Sequence, residues 1–226
     1  WFLLPEKIGV GENLPLKKQF KEMWEVSKSI LFWGIAPLAA ISQGTNLALH
    51  GLWIKPWLRD VVGINEDKAA QFLFAMTLAL IAGFFILGII TERLTKFFSV
   101  DPIKVSVFGM IMFLILQGFM AYGSVNSPLI FLILLGFFGS SSILVYAGYA
   151  LKFKKKISGR VSSLLNFLVF LGAFLLQWGL GVIIEMWPPT DLGYDPVSYK
   201  VAIGLLVLFQ LVGLIWYFLS LKFFKV

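Results

Sequence analysis

Two long runs without a single charged side chain, Val105 to Leu151 and Val161 to Ile184, are joined through Lys152-Phe-Lys-Lys-Lys-Ile-Ser-Gly-Arg160, which carries five positive charges. About 20 apolar residues wound as a helix cross the hydrocarbon of a bilayer, and both runs reach that length. Backbone groups in that medium must pair within their own segment, so each span is expected to be helical. Short loops rich in Lys and Arg stay in the cytoplasm, and this loop therefore sets the direction in which the chain is threaded. The composition agrees: 59% of the residues are hydrophobic, 14% are charged and the mean hydropathy is +0.88, values of an integral membrane protein and not of a soluble domain.

A net charge of +7 in a soluble chain would suggest nucleic acid. Here the Lys and Arg residues sit in short connections between apolar spans, where orientation and anionic lipid headgroups account for them. No nucleic-acid partner is expected, and membrane lipids are. The absence of cysteine removes disulfides, thiolate metal sites and thiol catalysis. The chain opens on Trp1, not on Met, and lacks the charged start and cleavage site of a signal peptide, so it is expected to be an excerpt of a longer protein.

Residues 1–29 read as a cytoplasmic linker with an interfacial helix. Pro5, Gly9, Gly11 and Pro15 punctuate its start, and Leu16, Phe20, Met23 and Trp24 then recur at helical spacing with Lys17, Lys18, Lys21, Glu22 and Glu25 on the other faces. Six spans follow, at about residues 30–54, 69–90, 103–122, 129–151, 161–186 and 201–221, with 222–226 as a cytoplasmic tail. Residues Lys55 to Lys68 are expected as an exposed turn. Gly136, Gly139 and the Ser140-Ser141-Ser142 run are small enough to let helix backbones approach closely. On alternate sides of these spans the Lys and Arg residues divide fifteen to four, which places both ends in the cytoplasm.

The span interiors contain no Asp, Glu, Lys or Arg, and Glu185 lies at the outer end of its span. What they contain is hydrogen-bonding stripes. Gln43, Asn46 and His50, spaced i, i+3, i+7, share one helix face that Trp53 continues; Ser142, Tyr146 and Tyr149 form a second stripe, and Asn166, Ala173 and Gln177 a third. Gln43, Asn46, His50, Ser142, Tyr146, Asn166 and Gln177 are the candidate lining of a wet central cavity; hydrogen bonds between helices are the alternative use of each. His50 is the one ionisable candidate for proton coupling. Asp191, Asp195 and Glu185 fall in a Pro-containing loop without calcium-loop spacing, so no metal is expected. No cofactor cradle is present, and no nucleophile, base or paired-carboxylate arrangement argues for an enzyme.

The order of these features resembles one half of a major facilitator superfamily transporter. The hallmark of that family after the second span of a half is Gly-x-x-x-Asp-Arg-x-Gly followed by basic residues, and the same place here reads Gly88-Ile-Ile-Thr-Glu92-Arg93-Leu-Thr95-Lys96, with Glu92 for the usual Asp and Thr95 for the usual Gly. The segment Leu52-Trp-Ile-Lys-Pro-Trp-Leu-Arg-Asp-Val-Val-Gly63, the Ser158-Gly-Arg160 entry and the Asn166…Gly172-Ala173…Gln177…Gly181 pattern are similar to the family's second half. The resemblance covers the chain from about Leu16 onward. It implies an all-α membrane fold of six transmembrane helices in a 3+3 inverted repeat, the C-terminal half of a secondary active transporter that moves a small solute by alternating access, with a missing N-terminal half as partner and a bacterial inner membrane as location. It also implies a gate-loop role for Gly88, Glu92 and Arg93, the carboxylate facing the start of the fifth span, where a helix N-terminus favours it. The alternative is a non-transporting receptor or assembly subunit on the same scaffold.

Overall fold

The computed structural model describes residues 15–123, 125–191 and 193–224. The expected linker before Pro15 and the final two residues of the expected tail lie outside them. Among the described residues the chain is built of helices: α1 (Leu16–Ser27), α2 (Ile30–Ala48), a π-helical turn (Leu49–Trp53), α3 (Ile54–Asp60), α4 (Glu66–Phe98), α5 (Pro102–Tyr122), α6 (Pro128–Gly139), a 3₁₀ turn (Ser140–Ile143), α7 (Leu144–Lys152), α8 (Lys155–Ile184) and α9 (Pro196–Phe224). α4, α5, α6 with α7, α8 and α9 make five helices long and apolar enough to cross a membrane. α2 is not among them. Gln43, Thr45 and Asn46 dilute its apolar character, and it is enclosed by protein, with residues from Phe32 to Ala48 buried at intervals along its length.

The helices stop where a residue forces them to, not where the apolar stretch ends. α4 begins behind Asn65, whose side chain accepts from the backbone N–H of Lys68, with Glu66 and Asp67 in the first turn. It then runs on through Thr91-Glu-Arg-Leu-Thr-Lys96 until Ser99 takes a left-handed φ of 54°. The segment expected as a gate loop is therefore helix, because intrahelical hydrogen bonds are as well satisfied in water as in lipid and nothing before Ser99 interrupts them. Asp101 caps α5 and Pro102 occupies its first turn, while Gly123, at φ 81°, ends it. The basic loop shrinks in the same way: only Phe153 and Lys154 separate α7 from α8, and Lys155, Lys156 and Arg160 are helical. Positive charge at a helix N-terminus opposes the dipole. The ion pair of Arg160 with Glu22 of α1 at 2.5 Å offsets it, while Lys152, at the C-terminus of α7 where positive charge is favoured, pairs with Asp101 at 3.0 Å.

Pro37 inside α2 has no N–H for the carbonyl of Trp33, four residues back. The indole N–H of Trp216 in α9 donates to that carbonyl at 2.7 Å. On either side, the Tyr149 hydroxyl donates to the Phe32 carbonyl at 2.5 Å, and the Ser220 hydroxyl lies 3.2 Å from that of Gly34. Two neighbouring helices, α7 and α9, thus satisfy the backbone around the proline, the condition for tolerating one at membrane depth. Pro56 raises the same problem at the carbonyl of Leu52, and there the chain answers by widening into the π turn just before it.

α2 packs mainly on α8 and α9, α4 on α6, and α5 on α9 and α6. The close approaches rest on small residues: a Cβ on Gly136 would overlap the backbone carbonyl of Met76, one on Gly139 the side chain of Asn46, and one on Gly44 the backbone N of Ala173. α5 and α9 are also tied by a buried pair of amides. Gln210 Nε2 donates to Gln117 Oε1 at 2.7 Å, and Gln117 Nε2 returns a bond to Gln210 Oε1 at 3.2 Å. Gln117→Leu alone leaves Gln210 Oε1 without a donor, while Gln210 Nε2 keeps its bond to the Leu206 carbonyl at 3.2 Å, and is expected to cost about 1–3 kcal/mol of stability. Adding Gln210→Leu should recover most of it, measured as a double-mutant cycle on unfolding in mixed micelles; additive losses would show that the pair does not couple.

Candidate functional site

The two irregular stretches of backbone border one cavity. The π turn that follows α2 contributes His50 and the 3₁₀ turn that separates α6 from α7 contributes Ser140 and Ser142 to a space of about 110 Å³, completed by Gln43, Asn46 and Leu47 of α2, Leu80 and Phe84 of α4 and Gly139 of α6. Departures from α-helical hydrogen bonding inside a span loosen the backbone and turn polar groups toward a cavity, and they are common at functional sites. Asn46 is 6% exposed, and its Oδ1, like the Oε1 of Gln43, has no hydrogen-bond partner among the described residues. Unpaired acceptors of this kind are costly at membrane depth unless something polar enters the cavity.

His50 is held from α4. Its Nε2 lies 2.9 Å from the Thr77 hydroxyl, and Thr77 spends its single proton on the carbonyl of Leu73 at 2.8 Å. The hydroxyl can then only accept, so Nε2 carries the hydrogen, and Nδ1 of the neutral ring remains as an acceptor. Thr77 was not a sequence candidate. Its signal was weak, a lone hydroxyl in an otherwise apolar stretch of α4.

Of the seven residues expected to line one cavity, the structure brings Gln43, Asn46, His50 and Ser142 together. The other three lie elsewhere. Tyr146 of α7 donates to Asn166 Oδ1 of α8, a polar link between two helices with Asn166 exposed. Gln177 lines a second and larger space of about 620 Å³, together with Leu52, Trp53, Phe174, Trp178, Gly181, Val182, Glu185 and Tyr194. Its backbone carbonyl accepts from the Trp53 indole at 3.2 Å. Gly88 faces open space on α4, and Glu92 and Arg93 are exposed there, with no ion pair or side-chain hydrogen bond among the described residues. The acids that reach the basic segment are Glu22 and Asp101.

The sequence also placed Asp60 in an exposed turn, and this is corrected: its side chain is 0% exposed. It accepts from Arg59 Nε at 2.5 Å, from the Tyr199 hydroxyl at 2.8 Å and from the Tyr194 backbone N–H at 3.1 Å. Those partners bind the end of α3 to the loop before α9. The hydrogen bond to Asp60, reinforced by that carboxylate's charge, holds the Arg59 guanidinium above even its usual high pKa. Charge alone suggested a surface position, and only the folded return of residues 194–199 supplies the donors that allow burial.

The fold and its five apolar spans define an all-α integral membrane protein. Compared with known protein families and with curated protein sequences, the chain matches none.

Proposed function

We propose that the chain is one half of a secondary active transporter of the major facilitator kind, moving a small solute by alternating access. The observation that carries this is the cavity that the π and 3₁₀ turns border, with unpaired amide oxygens and a histidine fixed in one tautomer. The resemblance of the Gly88–Lys96 segment and the order of the spans support it. In this reading α2 and its π turn cross as the first of six spans, enclosed because a half of such a carrier folds around it. α4 and α8 leave most of their apolar windows uncovered, only 11% and 22% buried, as suits helices that meet a partner half. A cavity of about 110 Å³ is too small for most solutes, so the other half completes the site. With no fixed charge in it, this half favours hydroxyl, amide or aromatic groups on the solute, and His50 Nδ1 is the acceptor for a coupled proton. Glu92 and Arg93 act as the gate at the inner end of α4.

These 226 residues contain no cysteine, so once any cysteine elsewhere in the natural full-length protein is replaced by serine a direct test is open. Single cysteines at Gln43 and His50 in the natural full-length protein are expected to react with a small hydrophilic thiol reagent added from either side of the membrane, because a carrier opens its site alternately to both. A cysteine at Phe85, exposed on α4 in the apolar stretch, should stay unreactive. Reaction of Gln43 and His50 from neither side would exclude the carrier and leave a receptor or assembly subunit with a filled interior.

A further inference from the structure

The cleft of about 620 Å³ beside the π turn is built unlike the polar cavity. Along α8, Phe174, Trp178 and Val182 follow one another at i, i+4 and i+8, and Gln177, Gly181 and Glu185 do the same one ridge over, so this stretch of helix offers aromatic rings along its length and a carboxylate at its end. Gly181 leaves the room. A Cβ there would lie 3.4 Å from the Trp53 ring, which forms the inner wall and is 6% exposed. Tyr194 stands against Trp53, ring centroids 6.2 Å apart and planes tilted by 54°, so the two rings form a corner.

Charge in this cleft has one sign. Glu185 is the C-cap of α8, where the last carbonyls add partial negative charge, and it makes no ion pair among the described residues. The two bases of the adjoining α3 are committed, Arg59 to Asp60 at 2.5 Å and Lys55 to Glu66 at 3.3 Å. Aromatic rings lining a space with a carboxylate at its edge attract a weakly hydrated cation, as in sites that recognise quaternary ammonium groups. We propose that this cleft binds a singly charged organic cation, a quaternary or protonated amine, between Trp53, Trp178 and Tyr194 with Glu185 as counter-ion. Such a group comes from a free solute or from a choline or ethanolamine lipid headgroup. The proposal concerns binding and stands apart from whether the protein transports.

The test is equilibrium dialysis of radiolabelled benzyltrimethylammonium against the natural full-length protein in maltoside micelles. Saturable binding is expected. Neopentylbenzene, the same shape without the charge, should compete poorly. Glu185→Gln and Trp178→Leu should each weaken binding by about five- to tenfold. Both side chains are exposed, Trp178 by 64%, so neither substitution disturbs the core. In nanodiscs, loss of the signal when phosphatidylcholine replaces phosphatidylglycerol identifies a headgroup site, and an unchanged signal identifies a free solute. Equal competition by neopentylbenzene, or unaltered binding by both variants, or no saturable binding at all, would overturn the proposal.

Discussion

Asp60→Ala is expected to lower the unfolding free energy by about 3 kcal/mol, since it orphans two donors, the Tyr199 hydroxyl and the Tyr194 backbone N–H, at roughly 1–3 kcal/mol each. Arg59 adds little to this figure, because its side chain is 41% exposed and water takes over when the carboxylate is gone. In a chain of this size the loss corresponds to a fall in Tm of roughly 6–12 °C. Asp60→Asn keeps an acceptor of the same shape and should lose less than half as much. Thermal unfolding of the three proteins in one detergent measures it. An unchanged Tm for Asp60→Ala would show that the network does not hold α3 to the outer loop.

Gly136→Ala is the second large effect. The new methyl group would overlap the backbone carbonyl of Met76, and a backbone atom cannot rotate away as a side chain does. α4 and α6, which pack extensively on each other, must therefore separate. Overpacking of this kind costs about 1–3 kcal/mol, and the upper end is expected here. Gly118→Ala on α5 is the matched control, with no atom within 4 Å of the new methyl group. There the helix gains roughly 0.5–1 kcal/mol from the lost flexibility of glycine. The same substitution thus carries opposite signs at the two sites, read as Tm in detergent. Two changes of like sign would mean that α4 and α6 do not touch through Gly136.

The stripe of Gln43, Asn46 and His50 was legible because a helix of 3.6 residues per turn fixes which side chains share a face, whatever surrounds them. The pairing of that stripe with Ser142 was not. Ser142, Tyr146 and Tyr149 also have helical spacing, yet the 3₁₀ turn at Ser140–Ile143 changes the rotation per residue between them. Ser142 consequently faces α2, whereas Tyr146 bonds to Asn166 and Tyr149 is buried against the Phe32 carbonyl. Gln177 shared a face with Asn166 by spacing but stands about three turns further along α8, beside the aromatic corner. Trp53, which continues the polar stripe by spacing, closes the π turn and opens onto the other cleft.

Membrane residence, the course of the apolar helices and the shared face of Gln43, Asn46 and His50 were legible in the residues alone. Those properties follow from local terms, the length of an uncharged run against the thickness of a bilayer and the period of the helix. Packing between distant segments set the rest: that helix continues through Glu92-Arg93 and Lys155–Arg160, that Asp60 is buried, that Gln117 meets Gln210, and that four of the seven candidates share a cavity. Each of these depends on partners far apart in the chain. A polar group in a low-dielectric interior is placed by whichever donor or acceptor the packed helices bring within about 3 Å, and neither periodicity nor hydropathy carries that distance.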